Sequence, residues 1–502
     1  MTTVEYSTTP PPDPAPGRPD RPAVNRISPR VLLPVVGLVL AGLFGWAATR
    51  AGTGPGGAAT VTLLVFAAAV WFWTFTKVDD TYIALGAATL LVLAGVIDTS
   101  ELFATLGDET VWLLLAAFVI AAGLTSSGLT RRAAAFVVAG AGTPRQLVHL
   151  VTASMVVTTY AMPSTSGRAA LAVPVFTALA AVLAERPKLV RALSVLIPSV
   201  ILLSAVGSLL GAGAHLVTSQ VVAAATGEGF SFVTWMLLGL PLALACSHVC
   251  AEIVLWMFTD RAERRAPVHV SVADLDNDPA QPVTGPLTVY ESRAALLLAA
   301  VVTLWCTEPL HHVHPAIVAL IGALVATSPR YGATTLNSAF KTVPWSMLLF
   351  LSATLALGTA LTTTGAAEWV AGALLGPFTG GTAPGVFLVV IVLVSAASHL
   401  LIQSRSARSA VLIPVIVALA PLAGVNPAAA AFASTAAAGF CHTLPSSAKP
   451  VGMFARLEGV PTYTPPDLLR LSAVLAPATI ALVLVFTWFV WPLLGLPVLQ
   501  PR

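Results

Sequence analysis

Charge is scarce along this chain of 502 residues. Lys, Arg, Asp and Glu together make up 9% of it, where soluble globular chains carry about 25%. That shortage excludes a soluble enzyme, a disordered scaffold and a nucleic-acid binder, which needs a dense basic surface. Cysteine is nearly absent. The four present, Cys246, Cys250, Cys306 and Cys441, lie in or beside apolar segments. Cys246 and Cys250 stand one helical turn apart with no third ligand nearby, so they read as packing residues rather than a metal site. Also missing are paired carboxylates, a His-Glu-x-x-His motif and a Ser-His-Asp set at one depth, so no enzyme activity is expected. What fills the chain is apolar: 57% of residues are hydrophobic and mean hydropathy is +0.87. The composition is that of an all-α polytopic membrane protein.

Residues 1–30 differ, being rich in proline and poor in apolar side chains, and read as a disordered cytoplasmic tail. A span needs about 20 apolar residues. Eleven candidate spans begin near Arg30, Ala58, Thr81, Thr110, Arg191, Phe230, Arg293, His314, Pro344, Asn426 and Leu469. Two further apolar stretches, 146–184 and 384–424, are broken by short polar runs. The arms 148–162 and 168–184 of the first, about 15–17 residues long, lie at or below spanning length, so both stretches read as re-entrant hairpins, the alternative being pairs of spanning helices joined by an ordinary loop. A loop over 258–291 separates a half at 31–257 from one at 292–495. With the N-terminus cytoplasmic and the C-terminus outside, nineteen Lys and Arg fall on the inner side and two, Arg50 and Arg502, outside. Four remain: Arg168, Arg405, Arg408 and Lys449. All lie in the interior breaks, where no carboxylate does. Glu252 is the one acid well inside a span, and reads as a partner for a helix polar group. His311, His312 and His314 cluster in an outer loop.

The broken stretches are alike. Ser164-Thr165-Ser166-Gly167-Arg168 leads to Pro174, and Ser404-Arg405-Ser406-Ala407-Arg408 leads to Pro414. The sidedness rule enters the first from inside and the second from outside, which makes an inverted repeat. Such repeats with interrupted apolar segments indicate a secondary transporter with a midplane site. A second pair of breaks follows: 204–215, with Gly207, Gly211, Gly213 and His215, and 439–450, with His442, Pro445, Ser446, Ser447 and Lys449. Small residues and proline there unwind helix and free backbone groups that must find partners.

These motifs resemble the divalent-anion/sodium symporter family over roughly residues 30–495. The resemblance implies eleven spans, two re-entrant hairpins, an elevator mechanism and a homodimer in the cytoplasmic membrane. Each hairpin tip in that family reads Ser-Asn-Thr and, with unwound backbone, holds sodium and touches a substrate carboxylate. Here Thr165 and Arg405 replace the Asn, and Ser166 and Ser406 replace the Thr. A guanidinium has no acceptor and is permanently charged, so Arg405 removes a sodium site. The expected cargo is a small anion, di- or tricarboxylate first, carried without sodium or by exchange. Ser164, Thr165, Ser166, Arg168, Ser404, Arg405, Ser406, Arg408, Pro445, Ser446, Ser447 and Lys449 are the expected contacts, with the backbone at Gly207, Gly211 and Gly213. No cofactor is expected beyond the sodium that the resemblance brings. The rival readings are a sodium-coupled sulfate or dicarboxylate symporter and an anion channel.

Overall fold

The computed structural model describes residues 56–500 apart from Lys77, Ala139, residues 274–282, Glu368 and residues 371–383. The expected tail and the span beginning near Arg30 lie outside the described residues. Among those described, the chain is helical throughout, with one isolated bridge pairing Val425 and Leu499. The first half runs through α1 (Gly57–Phe75), α2 (Asp80–Leu93), α3 (Glu109–Ser127), α4 (Leu129–Val138), α5 (Pro144–Ala161), α6 (Thr165–Val182), α7 (Pro187–Ser204), α8 (Gly213–Thr226) and α9 (Phe232–Phe258). The second half runs through α10 (Val289–Cys306), α11 (Pro315–Ala326), α12 (Trp345–Thr363), α13 (Pro384–Ala397), α14 (Arg405–Leu419), α15 (Pro427–Ala438), α16 (Lys449–Ala455) and α17 (Pro465–Val485). Shorter helical turns lie between them.

Eight described helical stretches are long and apolar enough to cross a membrane. The spans expected from Thr81, His314 and Asn426 are shorter helices, with 14, 12 and 12 residues in α2, α11 and α15. At 1.5 Å per residue they reach only about 18–21 Å. Their ends are local: Gly95 turns left-handed just past α2, and Gly439 closes α15. The arms of the first broken stretch are a little longer than expected. In the first stretch α5 and α6 have 18 residues each, whereas α13 and α14 in the second have 14 and 15.

The two halves use the same local devices. Ser164 and Ser404 are the N-caps of α6 and α14. Their hydroxyls accept from the Gly167 and Ala407 amides at 3.3 Å, which satisfies a donor that the first helical turn leaves open. The α3 and α12 helices, equivalent in the repeat, both end beside a left-handed glycine, Gly128 at φ 83° and Gly365 at φ 72°. A side chain there would meet steric strain that glycine avoids.

The α7 helix is the buried centre of the first half and packs against α5, α6, α9 and α16. After Ser204 it breaks into two short 3₁₀ turns, Ala205–Gly207 and Leu209–Gly211. Ser208 and Ala212 are extended, and helix resumes as α8 at Gly213. Gly239 of α9 packs directly on the Val206 carbonyl, where a Cβ would overlap it. Trp235 donates from Nε1 to the same carbonyl at 2.9 Å. In the second half the chain between α15 and α16 is non-helical over 439–448. The α8 helix packs across onto α14, α12 and α15, so each broken helix of one half meets the other half. The interhalf loop is tied down where it is described. Arg132 binds Glu291 at 2.6 Å and the Gly285 carbonyl at 2.7 Å. Val268 donates its amide to the Gly142 carbonyl at 3.1 Å.

Candidate functional site

Arg168 and Arg408 hold the same register behind the two N-cap serines. Both are fully buried, 1% and 0% exposed. Their surroundings are opposite. Nε of Arg168 donates to Thr158 Oγ1 at 3.0 Å. One terminal nitrogen donates to Thr159 Oγ1 at 2.9 Å and the Ile201 carbonyl at 3.0 Å. The other donates to Ser204 Oγ at 2.7 Å and to the Met155 carbonyl. A guanidinium has five N–H donors, so every one is engaged within the protein. The acceptors are prepared for this. Thr158 and Ser204 point their own protons at the Met155 and Val200 carbonyls, at 2.7 and 2.6 Å, which leaves lone pairs for the arginine. Arg168 thereby stitches α5, α6 and α7 together.

Arg408 has no such set. Its Nε and both terminal nitrogens are buried without a hydrogen-bond partner among the described residues. The reason is visible in register. Ser398 stands where Thr158 stands, and likewise donates three residues back, to Ser395 O at 2.6 Å. At the Thr159 position, however, stands His399. Both ring nitrogens of His399 are taken, by the Ala396 carbonyl at 2.6 Å and Thr443 Oγ1 at 2.7 Å. Arg408 instead has the Cys441 sulfur beside it, a weak acceptor.

Arg405 extends the same positive region. One of its terminal nitrogens is also buried and unpartnered, and it lies within electrostatic range of Arg168, Arg408, His215 and His442. It sits against Gly439, and Ser406 sits against Gly213, where a Cβ would crowd Ser406 and Met347. The second tip therefore meets both unwound segments, at glycines that let it approach. His215 stacks on Trp235 at 5.0 Å between ring centres and contacts the Ser208 carbonyl through Nδ1 at 2.9 Å. Its Nε2 is buried and has no hydrogen-bond partner among the described residues. His442 is a bridge, with Nδ1 accepting from the Cys441 amide and Nε2 against the Ser199 carbonyl, each at 3.3 Å.

The remaining expected contacts divide. Thr165 and Ser166, on the first turn of α6, are half-buried, as are Ser164, Ser404, Arg405 and Ser406. Gly211 lies against the Ala205 carbonyl and Gly207 against α9, so these two serve packing. Ser447 accepts from the Leu444 amide at 3.0 Å and closes a turn around the half-buried Pro445. Ser446 and Lys449 are exposed. A residue missed by the sequence reading is Asp80, whose carboxylate lies within electrostatic range of Ser404 and Lys449. The Asp79-Asp80 start of α2 carries no motif that marks it. Glu252 lies between Arg145, at 2.7 Å, and His149 Nε2, at 2.6 Å. His149 in turn meets His248, Nδ1 to Nδ1, at 2.8 Å. His314 pairs with Glu109 at 2.9 Å. Cys246 and Cys250 are both buried in α9.

Two solved transporters share the fold. The Alcanivorax borkumensis YdaH transporter superposes with a TM-score of 0.50 at 15% identity, over 87% of this chain and 98% of that one. Neisseria gonorrhoeae MtrF, described with a class of antimetabolite efflux pumps, gives 0.51 at 12% identity, over 95% and 98%. Both likenesses are of fold. A "membrane protein" of Cupriavidus necator is 25% identical over 317 residues, spanning 61% of this chain and 60% of that relative. Residues 51–496 match the family described as the sodium:sulfate symporter transmembrane region. This chain therefore belongs to that transporter family, the divalent-anion/sodium symporters whose repeat its broken helices resemble.

Proposed function

We propose that this protein is a secondary active carrier of small anions, di- or tricarboxylates first, working without sodium and by exchange. One observation carries the reading: among the described residues the buried guanidinium of Arg408 has no oxygen partner, only the weakly accepting Cys441 sulfur beside it, while its repeat counterpart has five oxygen partners. An isolated buried charge is strongly unfavourable unless paired. A carboxylate, sulfate or phosphate supplies both the charge and the acceptor lone pairs that a guanidinium fork matches. Arg405 adds a second positive group on the same tip. The amides at the start of α14 add partial positive charge. The anion is held by Arg408, Arg405 and Ser406 from one side and by the broken α7–α8 segment, at Gly213 and His215, from the other. Arg168 belongs to the framework in this reading.

Sodium does not suit the second tip, because Arg405 offers donors and a permanent charge where a cation needs oxygen. The sodium-coupled symporter stays as a second reading. The family description favours it, and Asp80 beside Ser404 gives one carboxylate oxygen near the tip. The two hairpins and broken helices move as a block against the remaining helices, in a homodimer. The test is reconstitution of the full chain into liposomes, with labelled succinate, citrate or sulfate outside. Saturable uptake that needs internal anion and persists at zero sodium supports the exchanger. Uptake that vanishes without sodium supports the symporter, and anion conductance without counterflow supports a channel.

A further inference from the structure

Three helix ends meet away from the arginine tips: the start of α7, the end of α9 and the start of α17. They enclose a cavity of about 260 Å³ lined by Lys188, Arg191, Met257, Phe258, Asp467 and Arg470. That is smaller than the roughly 300–1,000 Å³ of sites for drug-sized ligands. Its lining has three cations and one acid. Arg191 is bound to Asp467, which is also held by Thr464 at 2.7 Å in the capping box of α17. Lys188 reaches out to Asp260 at 2.8 Å. Asp260 is held below the usual carboxylate range by the Glu263 amide and by Lys188. Arg470 has no hydrogen-bond or ion-pair partner among the described residues, although it lines the cavity with two other cations. Arg186, the N-cap of α7, makes no side-chain cap and Pro187 has no N–H, so the amides of Lys188 and Leu189 open this helix of 18 residues without a side-chain cap. One wall is apolar, made by Met257 and Phe258.

The combination is specific. Clustered cations and open helix amides suit a phosphate group. An apolar wall at the end of spanning helices suits the glycerol and upper acyl region of a lipid. The sidedness pattern puts Lys188, Arg191 and Arg470 on the cytoplasmic face, where anionic headgroups gather.

We propose that this cavity binds the phosphodiester headgroup of an anionic membrane lipid, with Arg470 as its principal contact and Lys188 as its second. The site is separate from the anion cargo and stands whichever cargo is carried. A free phosphate offers the same chemistry without the apolar part, so the experiment separates the two. Purified full-length protein is mixed with equal amounts of phosphatidylglycerol and phosphatidylcholine and examined by native mass spectrometry. Phosphatidylglycerol is expected to be retained over phosphatidylcholine. Arg470→Gln is expected to lower that retention by about fivefold, the value of one surface cation near an anionic lipid. Arg470→Lys keeps the charge and most of the retention. Arg470 is exposed, so the variants leave the core intact. Inorganic phosphate at the same concentration leaves the lipid bound. Equal retention of both lipids, full retention by Arg470→Gln, or displacement by inorganic phosphate would each overturn the proposal.

Discussion

Arg168 and Arg408 make a matched experiment within one chain. The first is satisfied by neutral oxygens, so removing it strips partners from the Met155 and Ile201 carbonyls and unties three helices. Arg168→Met is expected to destabilise the protein by about 2–4 kcal/mol, read as a lower midpoint of thermal unfolding in detergent. Arg408→Met removes an unpartnered buried charge and replaces it with a side chain of similar length. Its unfolding midpoint is expected to hold or rise, while counterflow falls by about 100-fold or more, the loss of a charge-assisted pair of roughly 3 kcal/mol. If both variants lose stability alike, Arg408 has protein partners and the site is misplaced. Arg405→Asn, which restores the residue that the family resemblance expects, should weaken anion affinity and bring back part of a sodium dependence. Initial rates with and without sodium measure it. The sequence marked all these arginines by charge alone. It could not tell Arg168 from Arg408, because the difference lies in Ile201 and Ser204, a helix away, and in one exchange, Thr159 for His399.

At the scale of elements, the breaks were legible because Gly, Ser and Pro interrupt apolar runs whose period is otherwise helical. Between α7 and α8 the chain makes two 3₁₀ turns over 205–211, and between α15 and α16 residues 439–448 are non-helical. Span lengths were less legible, since apolar character continues past the caps that end α2 and α15, while α11 stops at Thr327-Ser328-Pro329-Arg330 after only 12 residues. The approach of Asp80 to Ser404 was invisible, joining residues more than 300 positions apart with no shared motif. The same applies to His149, His248 and Glu252, which meet only because α5 packs on α9. Glycine in α9 supplies a test of how tightly the broken helix is held. Gly239→Ala would drive a Cβ into the Val206 carbonyl. It is expected to lower stability by at least ~1–3 kcal/mol through overpacking. Gly86→Ala in α2 meets nothing within 4 Å, and should be neutral or stabilising by up to ~1 kcal/mol. Thermal unfolding of the two variants side by side measures the contrast.

For the whole molecule, the repeat supplies two similar halves that the fold does not use alike. The first tip is closed by its own framework. The second gathers Arg405, Arg408 and the unwound segments of both halves, and the C-terminal turns bind the helices α9 and α15 and the segment after α14. Trp491 donates to the Leu238 carbonyl at 3.0 Å and packs edge-on against Phe432. The Gln500 amide reaches the Gly424 carbonyl at 3.2 Å, just beyond α14.

The unmatched guanidiniums also fix how the carrier responds to voltage. A dianion held by Arg405 and Arg408 cancels those two charges, whereas the empty form moves with both of them beside the charge of Arg168, which only neutral oxygens surround. Moving one elementary charge across 100 mV involves about 2.3 kcal/mol, so the empty form feels the membrane potential more strongly than the filled form. One-for-one exchange of divalent anions, which never returns the empty form, is therefore expected to change less between liposomes clamped at 0 and at −100 mV than net uptake does. Exchange as voltage-dependent as net uptake would mean that the cargo leaves the Arg405 and Arg408 charges uncompensated.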